Sequence, residues 1–231
     1  MRILVVNPNT SAAMTDKIAL SAKQIAATGT DIIAVHSQHG PASIEGYYDE
    51  ALSIPGMLAA IQAVVNYDAI VIACFDDTGL DAVRCLTDKP VLGIGEAACH
   101  VASMLANKFS VVTTLARSVP ALEHNLLGYG MDRKCVKVRS SEVAVLELEE
   151  NNPAALSKIS SEIEQAIIQD RAEAIVLGCA GMTDLANALS IKYGLPVLDG
   201  VSCAVSLCES LVRLGVNTSR LGGYSPAVDK Y

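Results

Sequence analysis

The feature of this sequence that most constrains its fold is a pattern that occurs twice. In each copy a run of apolar residues leads into a cysteine and then into a turn: residues 69–73 precede Cys74, and residues 174–178 precede Cys179. An unbroken apolar run of this length, ending at a turn, is typical of a strand buried on both faces of a parallel sheet. We therefore predict that both thiols lie at the carboxyl ends of buried strands, where open parallel sheets place their ligand crevices.

The spacing of further landmarks indicates an internal duplication. The two cysteines are 179 − 74 = 105 residues apart, Pro90 and Pro196 are 196 − 90 = 106 apart, and Asn7 and Thr113 are 113 − 7 = 106 apart. Each half follows the order strand then helix four times, which is the pattern of a parallel α/β sheet. We predict an α/β fold of two pseudo-twofold-related lobes, each a parallel sheet flanked by helices, with the active site in the interlobe cleft.

The predicted boundaries follow from the periodicity and from turn residues. Residues 1–97 plus 208–231 are assigned to the first lobe, and residues 98–207 to the second. Strands are predicted at 2–6, 30–36, 69–73, 90–94, 109–112, 136–139, 174–178 and 196–201. Helices are predicted at 12–27, 48–66 with an interruption near Pro55, 81–85, 96–107, 118–129, 153–170 and 202–214, with an exposed tail after Gly215.

Composition argues against several classes of partner. The chain has 231 residues, of which 51% are apolar, so it can bury a sizeable core. Its net charge of -8 and the lack of basic clusters argue against binding to nucleic acid or to an anionic membrane. No apolar run approaches the roughly 18 residues of a membrane span, and the opening apolar stretch is too short for a signal peptide. We predict a cytoplasmic protein whose seven cysteines, an odd count without a CxxC motif, are free thiols.

Two thiols facing each other across a cleft can act as an acid/base pair. One thiolate would remove a proton from carbon, and the opposite thiol would protonate the other face, which inverts a centre without a cofactor. An ordinary cysteine has a pKa of about 8.5, and a helix N-terminus is expected to bring it near neutrality. A buried structural role is the alternative for either cysteine alone. Their repetition at one spacing favours function for the pair.

Several polar residues are candidates to support this chemistry. Backbone N–H groups after the strands could stabilise an enolate, with Thr78, Thr113 and Thr114 as hydroxyl partners. The turn at Asn9 and Thr10 precedes a helix whose free N–H groups could hold a carbonyl or carboxylate, or the two residues could only shape the turn.

The remaining candidates carry weaker signals. Asp76 and Asp77 could bind a metal, but no third ligand has a telling spacing, so turn formation or orientation of Thr78 is favoured. His39 is the one histidine that stands in a Gly-Pro loop. Arg117 could pair with an anion or could be a solvated helix start. The sequence has neither a P-loop nor a complete dinucleotide fingerprint, and no metal or cofactor is predicted.

Five motifs, taken together, resemble the hydantoin racemase branch of the aspartate/glutamate racemase superfamily. The resemblance covers nearly the whole chain, to about Leu214, and rests on residues 7–15, 43–46, 73–80, 112–114 and 175–182. It implies cofactor-independent two-base racemisation of 5-monosubstituted hydantoins, in which Cys74 and Cys179 each serve one enantiomer. It also implies a homo-oligomer, and a pocket lined by Asn9, Ser43, Ile44, Thr78, Gly79, Thr113, Thr114 and Gly178.

Other activities stay open at this point. Allantoin is itself a 5-substituted hydantoin, and allantoin racemases resemble this chain closely, differing near the turn at 76–78. Racemisation of free aspartate or glutamate is a second alternative within the superfamily. Relatives that decarboxylate malonates keep one of the two cysteines, so the presence of both disfavours that reaction. A two-lobed binding or sensor protein without turnover is the alternative from a different class.

Overall fold

The first half of the chain forms a four-stranded parallel sheet. The computed structural model describes residues 1–148 and 152–226. Strands β1 (Arg2–Asn7), β2 (Asp31–His36), β3 (Ala69–Ile72) and β4 (Val91–Gly93) pair in the order β2-β1-β3-β4. Strands β1 and β3 are central and buried, which explains their continuous apolar sequences.

The second half repeats this sheet. Strands β5 (Phe109–Thr113), β6 (Cys135–Ser140), β7 (Ala174–Gly178) and β8 (Val197–Asp199) pair in the order β6-β5-β7-β8, again all parallel. The same relative order in both halves is the structural form of the duplication seen in the sequence. The predicted fold class, two parallel sheets flanked by helices, is therefore confirmed.

Eight α-helices connect and cover the strands of the described residues. They are α1 (Ala12–Ile25), α2 (Tyr47–Gln62), α3 (Leu80–Leu86), α4 (Ile94–Leu105), α5 (Val119–Gly128), α6 (Pro153–Gln165), α7 (Ala186–Tyr193) and α8 (Gly200–Leu214). Short 3-10 helices occupy Ala116–Ser118, Val145–Leu148, Ala180–Leu185 and Gly222–Tyr224, and a π-helical turn at Ala166–Asp170 extends α6. No helix in the described ranges is both long enough and apolar enough to cross a membrane.

Two details of the second predicted helix are wrong. Helix α2 runs through Pro55 without interruption. Pro55 is exposed, so water can satisfy the carbonyl that loses its backbone donor. The helix also ends at Gln62 instead of Asn66, because Asn66 has a φ of 63° and cannot continue a right-handed helix.

Helices α4 and α8 hold the two lobes together. The two helices pack on each other, and each reaches across to the other lobe, α4 to β7 and α8 to β3. Small side chains permit this close approach, and a Cβ on Gly200 would lie 2.5 Å from the carbonyl oxygen of Ile94. The buried cysteines Cys99, Cys203 and Cys208 belong to this shared core. One hydrophobic core thus spans both sheets and fixes how their carboxyl ends meet.

The last described segment returns to the first lobe. Its residues 216–226 are mostly exposed, as predicted, yet the guanidinium of Arg220 donates to the carbonyls of Arg84, Cys85 and Thr87. Residues 227–231 lie outside the described residues. The proposed boundary at residue 208 falls inside α8, and the division of the chain at residues 97 and 208 stays a prediction.

Candidate active site

The two repeated cysteines follow equivalent strands and line one cavity. One residue, Ala73, separates Cys74 from the end of β3. The N–H of Ala73 donates to the carbonyl of Val6 at 2.8 Å, so the strand pairing continues up to the cysteine. Cys179 comes directly after β7. Both are partly buried free thiols, and both line the cavity between the lobes that we call the thiol cavity. The two thiols therefore do not point into separate cores.

The structure brings most of the predicted site residues to this cavity. Its lining includes both cysteines together with Asn9, Ile44, Thr113, Thr114 and Gly178. Three predicted residues are not part of the lining. Ser43 stands beside Ile44 in the loop, and Thr78 and Gly79 face a neighbouring cavity. Thr78 nevertheless reaches the site indirectly, because its hydroxyl lies 3.5 Å from Cys74 Sγ as a hydrogen-bond donor.

A network of side chains fixes the turn after β1. The Asn7 amide donates to Asn9 Oδ1 at 2.8 Å and to Thr15 Oγ1 at 3.0 Å, and the Ser11 N–H donates to Asn9 Oδ1 at 2.9 Å. The bonds from Asn7 and from Ser11 both end on the side-chain oxygen of Asn9. Its Nδ2 group has no protein partner among the described residues and lines the cavity as a donor. Asn9 thus fixes the turn through its side-chain oxygen and keeps its Nδ2 group available to donate to a ligand.

The hydroxyls in the second lobe divide into two kinds. Thr113 Oγ1 donates to the Gly178 carbonyl at 2.9 Å, so it ties the ends of β5 and β7 together. Thr114 and Ser118 also line the cavity, and within the described ranges their hydroxyls have no hydrogen-bond partner. These two hydroxyls are available to a ligand, whereas Thr113 acts by positioning the strand ends.

Burial makes both thiols harder to ionise than ordinary cysteines. It raises the pKa of the Cys74 thiol well above its usual range, and the Asp76 carboxyl raises it further. Burial raises the pKa of Cys179 to about 12, opposed by the Gly181 N–H, which donates to its sulfur at 3.4 Å. The expected pKa near neutrality is therefore wrong for this state, because desolvation outweighs the hydrogen bonds.

Ser118 and Asp76 are cavity residues that the sequence did not assign to the site. Ser118 directly precedes α5, just as Ser11 precedes α1, and 118 − 11 = 107 is close to the duplication spacing. Applying the duplication to every turn would have found it. Asp76 was interpreted as a turn former, but its side chain lines the thiol cavity.

The weaker candidates have other surroundings. His39 and Arg117 are absent from the cavity lining, and Arg117 lies against Gly46. Asp77 accepts hydrogen bonds from the N–H groups of Gly95 and Glu96 at the start of α4. Across residues 1–148 and 152–226, no three His, Cys, Asp or Glu side chains are grouped in a way that could hold a metal ion.

The fold and the cavity define a two-lobed α/β protein with a small-molecule site between its lobes. Comparison with known proteins then gives the family. The family model described as Asp/Glu/Hydantoin racemase matches residues 3–208. The chain therefore belongs to the Asp/Glu/hydantoin racemase family, and racemases are isomerases.

Individual relatives match over nearly their full length. A hydantoin racemase from Pseudomonas sp. (strain NS671) is 46% identical over 226 residues, covering 97% of this chain and 91% of the relative. The solved allantoin racemase of Klebsiella pneumoniae is 43% identical, with a TM-score of 0.95 and coverage of 100% and 95%. That of Pseudomonas fluorescens is 41% identical, with a TM-score of 0.97 and coverage of 100% and 99%. These similarities support racemisation of a small molecule.

Proposed function

We propose that this protein racemises 5-monosubstituted hydantoins without a cofactor, using Cys74 and Cys179 as an acid/base pair. The observation that carries the proposal is that two thiols from equivalent strand ends line one small interlobe cavity. Likeness to hydantoin racemases over nearly the whole chain supports the same activity.

The proposed reaction moves one proton across the ring plane. In the reacting complex one sulfur is a thiolate, and it takes the proton from C5, so that an S–H bond forms. The C–H electron pair moves into the adjacent ring carbonyl as an enolate. The opposite thiol then protonates the other face of C5, the carbonyl re-forms, and the second sulfur is left as the thiolate. The reverse reaction, or proton exchange with water, restores the starting arrangement.

Neutral hydrogen-bond donors are proposed to stabilise the enolate. The Nδ2 group of Asn9 and the hydroxyls of Thr114 and Ser118 belong to residues that line the cavity, and these groups have no hydrogen-bond partner among the described residues. Loss of one such donor costs on the order of 10²–10³ in rate when it faces the developing charge. The described lining contains no Lys or Arg. The carboxylates of free aspartate or glutamate would therefore have no ion-pair partner in this lining and would depend on neutral N–H and O–H donors.

Binding requires the cavity to widen. Its volume is about 30 Å³, which is room for only a few water molecules. The loop that carries Ile44 is tied down by the Thr10 N–H, which donates to the Pro41 carbonyl at 3.0 Å. It is also tied across the lobes by Glu45, which accepts from the Val145 N–H at 3.0 Å. We expect outward movement of this loop to admit the ring and its return to exclude water.

Allantoin is the second candidate substrate, supported by the two solved allantoin racemases of the same fold. It carries a polar ureido group on C5. In this chain Met14, Ile44 and Val145 contribute apolar side chains to the lining, which favours an apolar C5 substituent. The proposal also places the protein in the cytoplasm as a homo-oligomer without nucleic-acid or membrane partners, in keeping with its net charge of -8 and its free thiols.

Incubation of L-5-benzylhydantoin with the protein in D₂O tests the proposal. We expect optical rotation to decay to zero, with one deuterium at C5, faster than in an enzyme-free control that measures spontaneous exchange. L-5-Isobutylhydantoin, allantoin, L-aspartate and L-glutamate form the comparison panel. Turnover of allantoin alone, or of amino acids alone, would replace our choice of substrate. Tight binding of a hydantoin without deuterium uptake would identify a binding protein instead.

A further inference from the structure

A second pair of acidic groups lies beside the thiols. Asp76 stands in the turn after Cys74, is 9% exposed and lines the thiol cavity. Glu50 lies on α2 and is partly buried. Both residues also line an adjacent open cavity, whose lining includes neither Cys74 nor Cys179. The pair thus separates the thiol cavity from this outer space, which we call the outer cavity.

Among the described residues, neither of these two carboxyl groups has a hydrogen-bond donor or an ion-pair partner. Asp76 Oδ2 and Glu50 Oε1 are buried without a hydrogen-bond donor. Neither residue forms an ion pair with any described residue, although the two side chains lie within hydrogen-bonding reach of each other. Two carboxylates can only accept, so this contact becomes favourable when one proton lies between them. Burial raises the pKa of both groups, and their mutual repulsion raises that of Asp76 further, in the manner of two acids at one site.

We propose that Glu50 and Asp76 share one proton, which keeps Asp76 uncharged where it faces Cys74 and Cys179. The proposal rests on the thiol chemistry described above. A charged Asp76 would raise the pKa of both thiols and so oppose formation of a thiolate. Glu50 is therefore a positioning residue for a proton, and it acts on the reaction through Asp76.

The other charged groups around the pair leave this assignment intact. On α2, Asp49 accepts from the Glu45 N–H and raises the pKa of Glu50. Asp77 is held by the start of α4 and by the hydroxyl of Tyr129, and it also raises the pKa of Asp76, which favours the protonated form of that carboxyl. The remaining titratable groups lining the outer cavity are Asp81, Arg84, Glu96, His124 and Tyr224, and in the described residues none of them bonds to Glu50 or Asp76.

Four variants, E50Q, D76N, E50Q/D76N and D81N, separate this role from a merely structural one. In E50Q the amide can donate to Asp76 and the competing charge is gone, so Asp76 ionises beside the thiols. We expect the rising limb of kcat/KM to move by about one pH unit to higher pH, with about tenfold lower activity at neutral pH. In E50Q/D76N residue 76 cannot carry a charge. The rising limb of the pH profile of kcat/KM therefore returns to the pH at which it lies in D76N. D81N is the matched control, because Asp81 lines the same outer cavity but its side chain is 80% exposed. We expect no shift in D81N.

Two readouts do not depend on hydantoin turnover. The pH dependence of alkylation at Cys74, read by mass spectrometry, should move upward in E50Q and return in E50Q/D76N. At neutral pH the infrared band of protonated carboxyl groups should lose the same component in E50Q and in D76N, and the component that stays belongs to Asp77, whose pKa burial raises to about 7. An unshifted E50Q profile, a double variant no better than E50Q, or no common loss from this band would overturn the shared proton. If the alkylation profile and the infrared band change as expected but the protein does not racemise hydantoins, only the proposed function is rejected. If E50Q does not fold, a one-unit upward shift in D76N would still contradict the proposal.

Discussion

The two lobes match in topology but differ in the side chain that each places two residues after its cysteine. Two positions after Cys74 stands Asp76, whose carboxyl would raise the pKa of that thiol when charged, while its backbone N–H lowers it. Two positions after Cys179 stands Gly181, whose N–H donates to the sulfur at 3.4 Å and lowers its pKa. Duplication has kept the strand ends while the turns diverged. The two thiols are therefore inequivalent, and we expect Cys179 to ionise before Cys74.

The helix after the last strand of each sheet shows a second divergence. In the second lobe, Asp199 at the end of β8 accepts from the Ser202 N–H of α8 at 2.8 Å. The equivalent position in the first lobe, at 199 − 93 = 106, is Gly93. There Asp77 reaches over from the turn after Cys74, and a Cβ on Gly93 would lie 2.1 Å from its carboxyl carbon. Both lobes thus cap this helix with an aspartate, but from different elements.

The largest expected effect comes from breaking the thiol pair one side at a time. Cys74→Ser and Cys179→Ser should each lower racemisation by about 10²–10⁴-fold, because serine cannot replace the thiolate base. Each variant should still exchange solvent deuterium into one enantiomer, and the enantiomer should differ between the two variants. Mass spectrometry of pure L- and D-5-benzylhydantoin in D₂O measures this. Cys85→Ser is the control, since Cys85 lies away from the cavity and contacts the Gly223 carbonyl. Exchange of the same enantiomer in both variants would contradict the opposed pair.

The two aspartate caps should differ in their contribution to stability. Asp77 accepts from two backbone N–H groups and from Tyr129, whereas Asp199 accepts from Ser202 N–H and Thr183 Oγ1. Replacement by alanine leaves these donors buried without an acceptor. We expect a loss of unfolding free energy of about 3 kcal/mol for Asp77→Ala and about 2 kcal/mol for Asp199→Ala.

Urea unfolding followed by circular dichroism measures both losses. Asp132→Ala is the control, because Asp132 is exposed and has no hydrogen-bond partner among the described residues, and it should change stability by less than about 0.5 kcal/mol. Equal losses of unfolding free energy at the two caps, or a larger loss at Asp199, would mean that the third hydrogen-bond donor to Asp77 does not add to stability.

The sequence predicted what depends on regular strands and on the duplication. Buried strands have continuous apolar sequences because both faces pack against helices, so β3 and β7 and the thiols that follow them could be placed. Ser118 was not assigned to the site, although comparison of every turn across the duplication would have found it. The path of α2 through Pro55 could not be predicted, because it depends on Pro55 facing water.

The electrostatics of the site depended on tertiary packing and could not be read from the sequence. The thiol pKa values are set by how closely the two lobes close around the cavity, which α4 and α8 determine. The pairing of Asp76 with Glu50 joins the turn after β3 to a helix 76 − 50 = 26 residues earlier, with no motif to indicate it. Thr78 was predicted to line the pocket, but the fold turns it toward the outer cavity, where it supports Cys74.

The smallest expected effect would locate the source of the asymmetry between the thiols. Lys17 on α1 lowers the pKa of Cys179, although its ammonium is paired with Asp184 at 3.1 Å and donates to the Leu148 carbonyl. Because that ion pair already offsets much of its charge, Lys17→Met should raise the apparent pKa of Cys179 by only a few tenths of a unit. Alkylation across pH, resolved by mass spectrometry, measures Cys74 and Cys179 in one sample.

Lys23→Met provides the matched control for this small shift, since Lys23 lies on the exposed part of the same helix. An equal shift at Cys74, or the same shift in the control, would mean that the lysine acts through the overall charge of the molecule. A shift confined to Cys179 would show that this lysine acts on one thiol only. The remaining inequality of the thiols would then come from their burial and from the turns that follow them, where Asp76 and Gly181 differ.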